Sequence, residues 1–149
     1  MPDPDIAALR ADPRVIWTED VLRFSDTDLN GHVNNAAFAV FCESGRVNLL
    51  RGTLGPTRER GAYFVIAKLV VEYRAELLFP GRVRSGTWIR SVGRTSFGFG
   101  QVILDGDGRL AATSEAVTVS MSGETRRPMP LGDATRALVL SMLREDAAS

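Results

Sequence analysis

Two periods of hydrophobic and polar residues divide this chain. Between Ala36 and Leu50 the apolar residues return at helical spacing. Phe38, Phe41, Cys42, Gly45 and Leu49 form one stripe, and Val40, Val47 and Leu50 widen it until most of the helix is apolar. A helix apolar nearly all round is expected to be largely buried, with Gly45 letting another backbone come close. Gly52 predicts its end, and Gly55-Pro56 opens a loop that runs to Gly61. From Tyr63 the period becomes two. Leu69, Val71, Tyr73, Ala75 and Leu77 alternate with Lys68, Val70, Glu72, Arg74 and Glu76, the pattern of a long half-buried strand.

Pro80-Gly81 turns that strand into a second, Arg82 to Val92, on which Arg82, Arg84, Trp88 and Arg90 share a face. Those arginines are expected to pair across strands with Glu72 and Glu76. Ser96 to Leu104 reads as a third strand and Leu110 to Met121 as a fourth, joined by the hairpin signal Asp105-Gly106-Asp107-Gly108. Pro128 and Pro130 break the pattern, and Ala134 to Arg144 predicts a short C-terminal helix. Ahead of the central helix, Val15 to Phe24 reads as a strand with an irregularity near Glu19-Asp20, and Met1 to Pro13 as a short helix or loose arm. One strand, one long helix and four strands with short turns predict an α+β fold. Its antiparallel sheet must curl around the helix to cover it.

Composition narrows the function classes. With 149 residues the chain suits one domain with a real core. Hydrophobic residues make up 44% and charged residues 24%, as in an ordinary soluble globular chain. Acidic and basic residues balance at 18 each, so no field draws in nucleic acid or an anionic membrane. No apolar run reaches the length of a membrane span, and the N-terminus lacks the apolar core of a signal peptide. The single Cys42 excludes an intrachain disulfide and suits a reducing compartment, so a cytoplasmic protein is expected.

Candidate chemistry gathers in ten residues, Asp26-Thr-Asp-Leu-Asn-Gly-His-Val-Asn-Asn35, between the first strand and the helix. They hold two carboxylates, three carboxamides and the only histidine. Asn34 or Asn35 suits the N-cap, and the free N–H groups of a helix N-terminus suit a developing oxyanion. Asp28 suits a nucleophile or a general base, against the ordinary reading of a turn residue. His32 suits proton transfer or substrate orientation, against a loop histidine bonded to backbone. Asp26 reads as structural. Glu43 reads as a helix carboxylate paired with an arginine such as Arg46, and Cys42 lacks a base. One histidine and no cysteine cluster make a poor metal site, and no P-loop or dinucleotide fingerprint is present, so neither metal nor cofactor is expected.

Phe24-x-Asp26-x-Asp28-x-x-Gly31-His32-Val33-Asn34-Asn35, with Phe38 three residues on and Glu43 in the helix, resembles the hotdog-fold acyl thioesterases. The branch it is most similar to is the 4-hydroxybenzoyl-CoA thioesterase-like group. Val71-Glu-Tyr-Arg-Ala75, Gly81-x-Val83, Gly93-x-x-Ser96-Phe97, the Asp-Gly hairpin and Arg126-Arg127-Pro128-x-Pro130 extend the likeness over roughly residues 15 to 131. The resemblance implies hydrolysis of acyl-CoA thioesters. It implies Asp28 as the catalytic carboxylate and the backbone N–H near Asn35 in the oxyanion hole. Acyl-carrier-protein thioesterases share Asn-x-His-Val-Asn-Asn and use the Asn and His, here Asn30 and His32. A non-catalytic acyl-CoA-binding module is the reading from another class. Asn34, Phe38 (where many members have Tyr) and Ser96 are candidate substrate contacts, and Arg90, Arg94, Arg126 and Arg127 candidate contacts to coenzyme A phosphates. Resembling proteins pair edge to edge, so a homodimer or homotetramer is expected.

Overall fold

A computed structural model describes residues 2–55 and 59–145. Part of the expected loop from Gly55 to Gly61, residues 56–58, lies outside the described residues. The elements run α1 (Ile6–Ala11), β1 (Ile16–Val21), α2 (Asn35–Leu49), β2 (Ala62–Tyr73), β3 (Arg82–Val92), β4 (Ser96–Leu104), β5 (Leu110–Ser122) and α3 (Asp133–Ser141). All five strands pair antiparallel in one sheet of order β1-β3-β4-β5-β2. The long helix α2 and the short C-terminal helix α3 complete the α+β hotdog fold that the periodicity and the resemblance imply.

The order corrects one expectation. β2 and β3 follow each other in sequence but lie apart: β2 pairs only with β5, and β3 sits between β1 and β4. Glu72 and Glu76 are therefore not cross-strand neighbours of the β3 arginines. Arg82 pairs with Glu19 on β1 and Arg90 with Glu115 on β5. Nor does β2 reach Leu77. The N–H groups of Arg74 and Ala75 both donate to the Ala111 carbonyl (2.8 and 3.1 Å), and the chain then leaves the ladder. Residues 74–81 cross the end of the sheet from one edge toward the other, past the start of α2.

β1 pairs with β3 without a register break from Ile16 to Val21, so the expected irregularity at Glu19-Asp20 is absent. Alternation accommodates both acids. Glu19 turns outward to Arg82, while Asp20 turns to Ser44 on α2, its carboxyl pushed up by burial against the opposing pull of Arg23 and Ser44. β1 ends at Val21, and Phe24–Asp26 forms a 3₁₀ turn. At the far end of α2, Leu50–Leu54 continues as a π-helical turn through Gly52.

The sheet's inner face carries α2, which packs chiefly on β3, β1 and β4. Gly45 permits the approach: a Cβ there would lie 2.5 Å from Thr87 Oγ1 and 2.9 Å from Gln101 Nε2. Gln101, fully buried, donates to the Cys42 carbonyl and to Thr87 Oγ1, and its Oε1 accepts from Arg46 at 3.1 Å. Arg46 thus turns into the core instead of pairing with Glu43, which is exposed. Burial lowers the Arg46 pKa, opposed by Cys42 and Glu43, and raises that of Cys42.

The helix is not buried all round. Val40 is 56% exposed and Val47 41%, and Ala36 and Glu43 lie on the same open stripe. The inner face of edge strand β2 is open too, with Ile66, Leu69 and Tyr73 exposed. The outer face of β3 and β4 is covered by the chain's own N-terminal arm: Leu9 and Val15 pack with Trp88, Val102 and Leu104. Asp12 ties that arm to the C-terminal segment through Arg14 and Arg144. α3 ends at Ser141, short of the expected Arg144, because Leu143 bridges to Ile89 and the Arg144 N–H donates to the Ile89 carbonyl.

Candidate active site

The polar loop is held by its own side chains. The Arg23 N–H donates to Asp26 Oδ2 (2.8 Å), and the Asn34 N–H donates to the Asp26 carbonyl (2.7 Å), so Asp26 is structural. The Thr27–Val33 bridge closes a small hairpin. Inside it the Asp28 N–H donates to the His32 carbonyl (2.9 Å) and the Gly31 N–H to the Asp28 carbonyl (3.1 Å). Gly31 adopts φ 78°, a left-handed turn that suits glycine.

Asp28 Oδ1 accepts from the N–H groups of Asn30 (2.9 Å) and His32 (3.3 Å). Its second oxygen has no partner among the described residues. Asn34 is the N-cap of α2, its side chain accepting from the Ala36 N–H at 3.0 Å. Asn35 begins the helix, and among the described residues its N–H has no acceptor, as expected for a first-turn donor. The Tyr73 hydroxyl donates to the Asn35 carbonyl (3.1 Å) and its ring meets Phe38 edge-on at 5.1 Å. Phe38 itself is buried in the core. A helix N-terminus, a carboxylate and an imidazole thus share one small turn.

The crossing segment after β2 adds Glu76, which periodicity assigns to the arginines of a neighbouring strand and not to the loop. Val33 donates to the Leu77 carbonyl (2.9 Å) and His32 bridges to Leu78, which sets Glu76 beside the histidine. His32 Nε2 lies 3.0 Å from Glu76 Oε2, both side chains about half exposed. Glu76 also lines a cleft of about 490 Å³ with Leu22, Leu78, Arg82 and Arg109. Exposed Phe24 and Phe79 meet edge-on at 6.1 Å and, with Leu29 and Leu78, give the loop an apolar rim.

The other candidates stand elsewhere. Ser96 opens β4 at the end of the sheet opposite the loop. Eight steps along that strand, at about 3.3 Å each, put it roughly 26 Å from the strand's loop-side end. Arg94 shares the Ser96 end: its carbonyl accepts from the Leu131 N–H and from Arg136. Arg126, at φ 60°, lies over the Tyr63 ring (5.2 Å), and the Arg127 carbonyl accepts from Ser122. Arg90 is on the outer face with Glu115. One copy of the chain therefore brings Asp28, Asn30, His32, Asn34 and Asn35 together and leaves Ser96 and the four arginines apart from them. Among the described residues no three His, Cys, Asp or Glu side chains converge on a metal site, and no helix is long and apolar enough to cross a membrane.

Known proteins are similar to this chain in sequence and fold. Residues 22–139 match the family model of the thioesterase-like superfamily. The acyl-CoA thioester hydrolase YbgC of Escherichia coli O6:H1 is 31% identical over 112 residues, which is 72% of this chain and 83% of that protein. A predicted thioesterase from Bacillus stearothermophilus superposes with a TM-score of 0.81 at 26% identity, covering 89% of this chain and 99% of that one. A thioesterase from Thermus thermophilus, complexed with coenzyme A and Zn, superposes with a TM-score of 0.74 at 28% identity, covering 87% and 93%. With its fold, its loop and these relatives in agreement, the chain belongs to the thioesterase-like superfamily and is a thioester hydrolase.

Proposed function

We propose that this protein hydrolyses acyl-CoA thioesters to the free acid and coenzyme A, and that the loop at the start of α2 performs the reaction. The observation that carries the reading is Asp28. One of its oxygens is fixed by two backbone N–H groups and the other is unengaged among the described residues, beside a helix whose first N–H has no acceptor there. The unengaged oxygen takes a proton from water as the water oxygen attacks the thioester carbonyl. The negative charge that develops on the carbonyl oxygen is met by the Asn35 N–H, and a donor of that kind contributes about 3–4 kcal/mol. The acyl-CoA substrate follows from the relatives, one named an acyl-CoA thioester hydrolase and one complexed with coenzyme A.

The working unit in this reading is a homodimer. β2 is a twelve-residue edge strand, and Ile66 and Leu69 on its inner face are exposed. Antiparallel pairing of β2 with β2 of a second copy sets the Tyr73 end of one strand against the Ala62 end of the other. Tyr73 touches the loop, while Tyr63 lies under Arg126. The pairing thus carries the second copy's Ser96, Arg94, Arg126 and Arg127 toward the first copy's Asp28, where guanidinium groups suit the phosphates of coenzyme A. The test is release of free thiol from a panel of acyl-CoAs. Asp28→Asn preserves an acceptor for the Asn30 and His32 N–H groups, so the loop keeps its shape while turnover falls ~100-fold or more. Unchanged turnover in that variant refutes the assignment.

A further inference from the structure

We infer that Glu76 is a positioning residue for His32, and that His32 is the acid that protonates the departing thiolate. The inference rests on the loop being the thioester-hydrolysing site and adds a second proton path to it. Three observations carry it. The backbones of Asp28 and His32 are locked together, Asp28 N–H to His32 carbonyl at 2.9 Å and His32 N–H to Asp28 Oδ1 at 3.3 Å, so both side chains leave one turn. His32 Nε2 lies 3.0 Å from Glu76 Oε2. Glu76 is itself held in place, because its neighbours Leu77 and Leu78 bond and bridge to Val33 and His32.

A carboxylate on one ring nitrogen fixes the orientation of an imidazole, the arrangement that makes histidine an effective proton carrier. With Nε2–H held by Glu76, Nδ1 is the nitrogen left to serve the substrate. Coenzyme A leaves as an alkyl thiolate, whose conjugate acid has a pKa of about 8.5 by analogy with cysteine, so a proton delivered to sulfur assists its departure. The proton balance closes. Asp28 takes a proton from water, and the water oxygen bonds to the carbonyl carbon. The C–S bond breaks with its electron pair on sulfur, and the proton on Nδ1 moves to that sulfur. Asp28 then releases its proton, and neutral His32 regains one.

The leaving group provides the test. Each variant is assayed on an acyl-CoA and on the matching thiophenyl ester, whose far less basic thiolate departs without an acid. Glu76→Gln and His32→Gln lower turnover ~10-fold or more on the acyl-CoA but no more than about threefold on the aryl ester. Equal losses on both esters, or no loss on the acyl-CoA, overturn the inference. Asp28→Asn serves as the independent arm: it must fail on both esters, and if it keeps full turnover on both, the underlying reading of the loop falls instead. His32 is the only histidine, so its Nε2–H proton resonance is assignable without ambiguity. That resonance is present in the unmodified protein and lost in Glu76→Ala; its persistence there also overturns the positioning role.

Discussion

The two halves of the inner sheet face are finished to different degrees. Over β1, β3 and β4, α2 seals a core in which Phe97, Phe99, Ile89 and Ile103 are fully buried and polar Gln101 is bonded both to the helix and to Thr87. Over β2 the same face leaves apolar Ile66 and Leu69 exposed, and α2 turns Val40 and Val47 toward solvent along an open stripe. Side chains of similar character thus stand in a dry interior on one side and against water on the other. The first half stabilises the chain; the second presents an apolar surface of the kind that marks an interaction site. Helix and strand both change character at this boundary, which makes α2 one element with two jobs.

Two substitutions probe the contrast, and a third tests a site outside it. The largest effect belongs to the sealed side. Gly45→Ala inserts a methyl 2.5 Å from Thr87 Oγ1, and overpacking of that kind costs typically about 1–3 kcal/mol, read as a lower urea midpoint. If that variant unfolds like the unmodified protein, the close approach of α2 is not what orders this half. On the open side, Val40→Arg leaves the folded chain within about 0.5 kcal/mol, as exposed substitutions usually do. It converts the proposed dimer to monomer in sedimentation and lowers turnover with it; a variant that stays dimeric refutes the proposed interface.

The smallest effect lies outside both halves, at Asp12. Side-chain and backbone hydrogen bonds from Arg14, with Arg144 nearby, hold its carboxyl well below the ordinary Asp value of 3.8. A depressed folded pKa means that its contribution is complete above that value and is lost only as the pH falls through the lower folded one. Asp12→Asn therefore loosens the tie between the chain ends, seen as faster amide exchange near Leu9 and Arg144, at neutral pH and not in strong acid. Equal exchange in variant and parent at about pH 7 refutes it.

The parts that are legible in the sequence are local. The stripe through Phe38, Phe41, Cys42 and Leu49 marks α2, Asp105-Gly106-Asp107-Gly108 marks the β4–β5 turn, and Asn34 is a cap by its chemistry. The parts that are not legible depend on long-range order. Alternation continues through Ala75 and Leu77 although the ladder ends at Tyr73, because period two records a side chain's face and not whether a neighbouring strand is present. The place of β2 beside β5 is invisible to a reading that joins consecutive strands. Such a reading misplaces β2 and so gives Glu76 to the β3 arginines instead of to His32. Val40 and Val47 mislead in a related way: apolar character signals a wish to be covered and cannot say whether the cover comes from the same chain.

The arm over the outer face has a consequence for observation. The protein's two tryptophans, Trp17 and Trp88, both belong to the cluster formed by Leu9, Val15, Val102 and Leu104, with Arg84 and Arg144 over their rings. Its intrinsic fluorescence is therefore a gauge of the docked N-terminus, read from the face of the sheet opposite the helix. An emission shift reports the arm lifting, and a substrate that fills the loop without disturbing the arm leaves that signal silent.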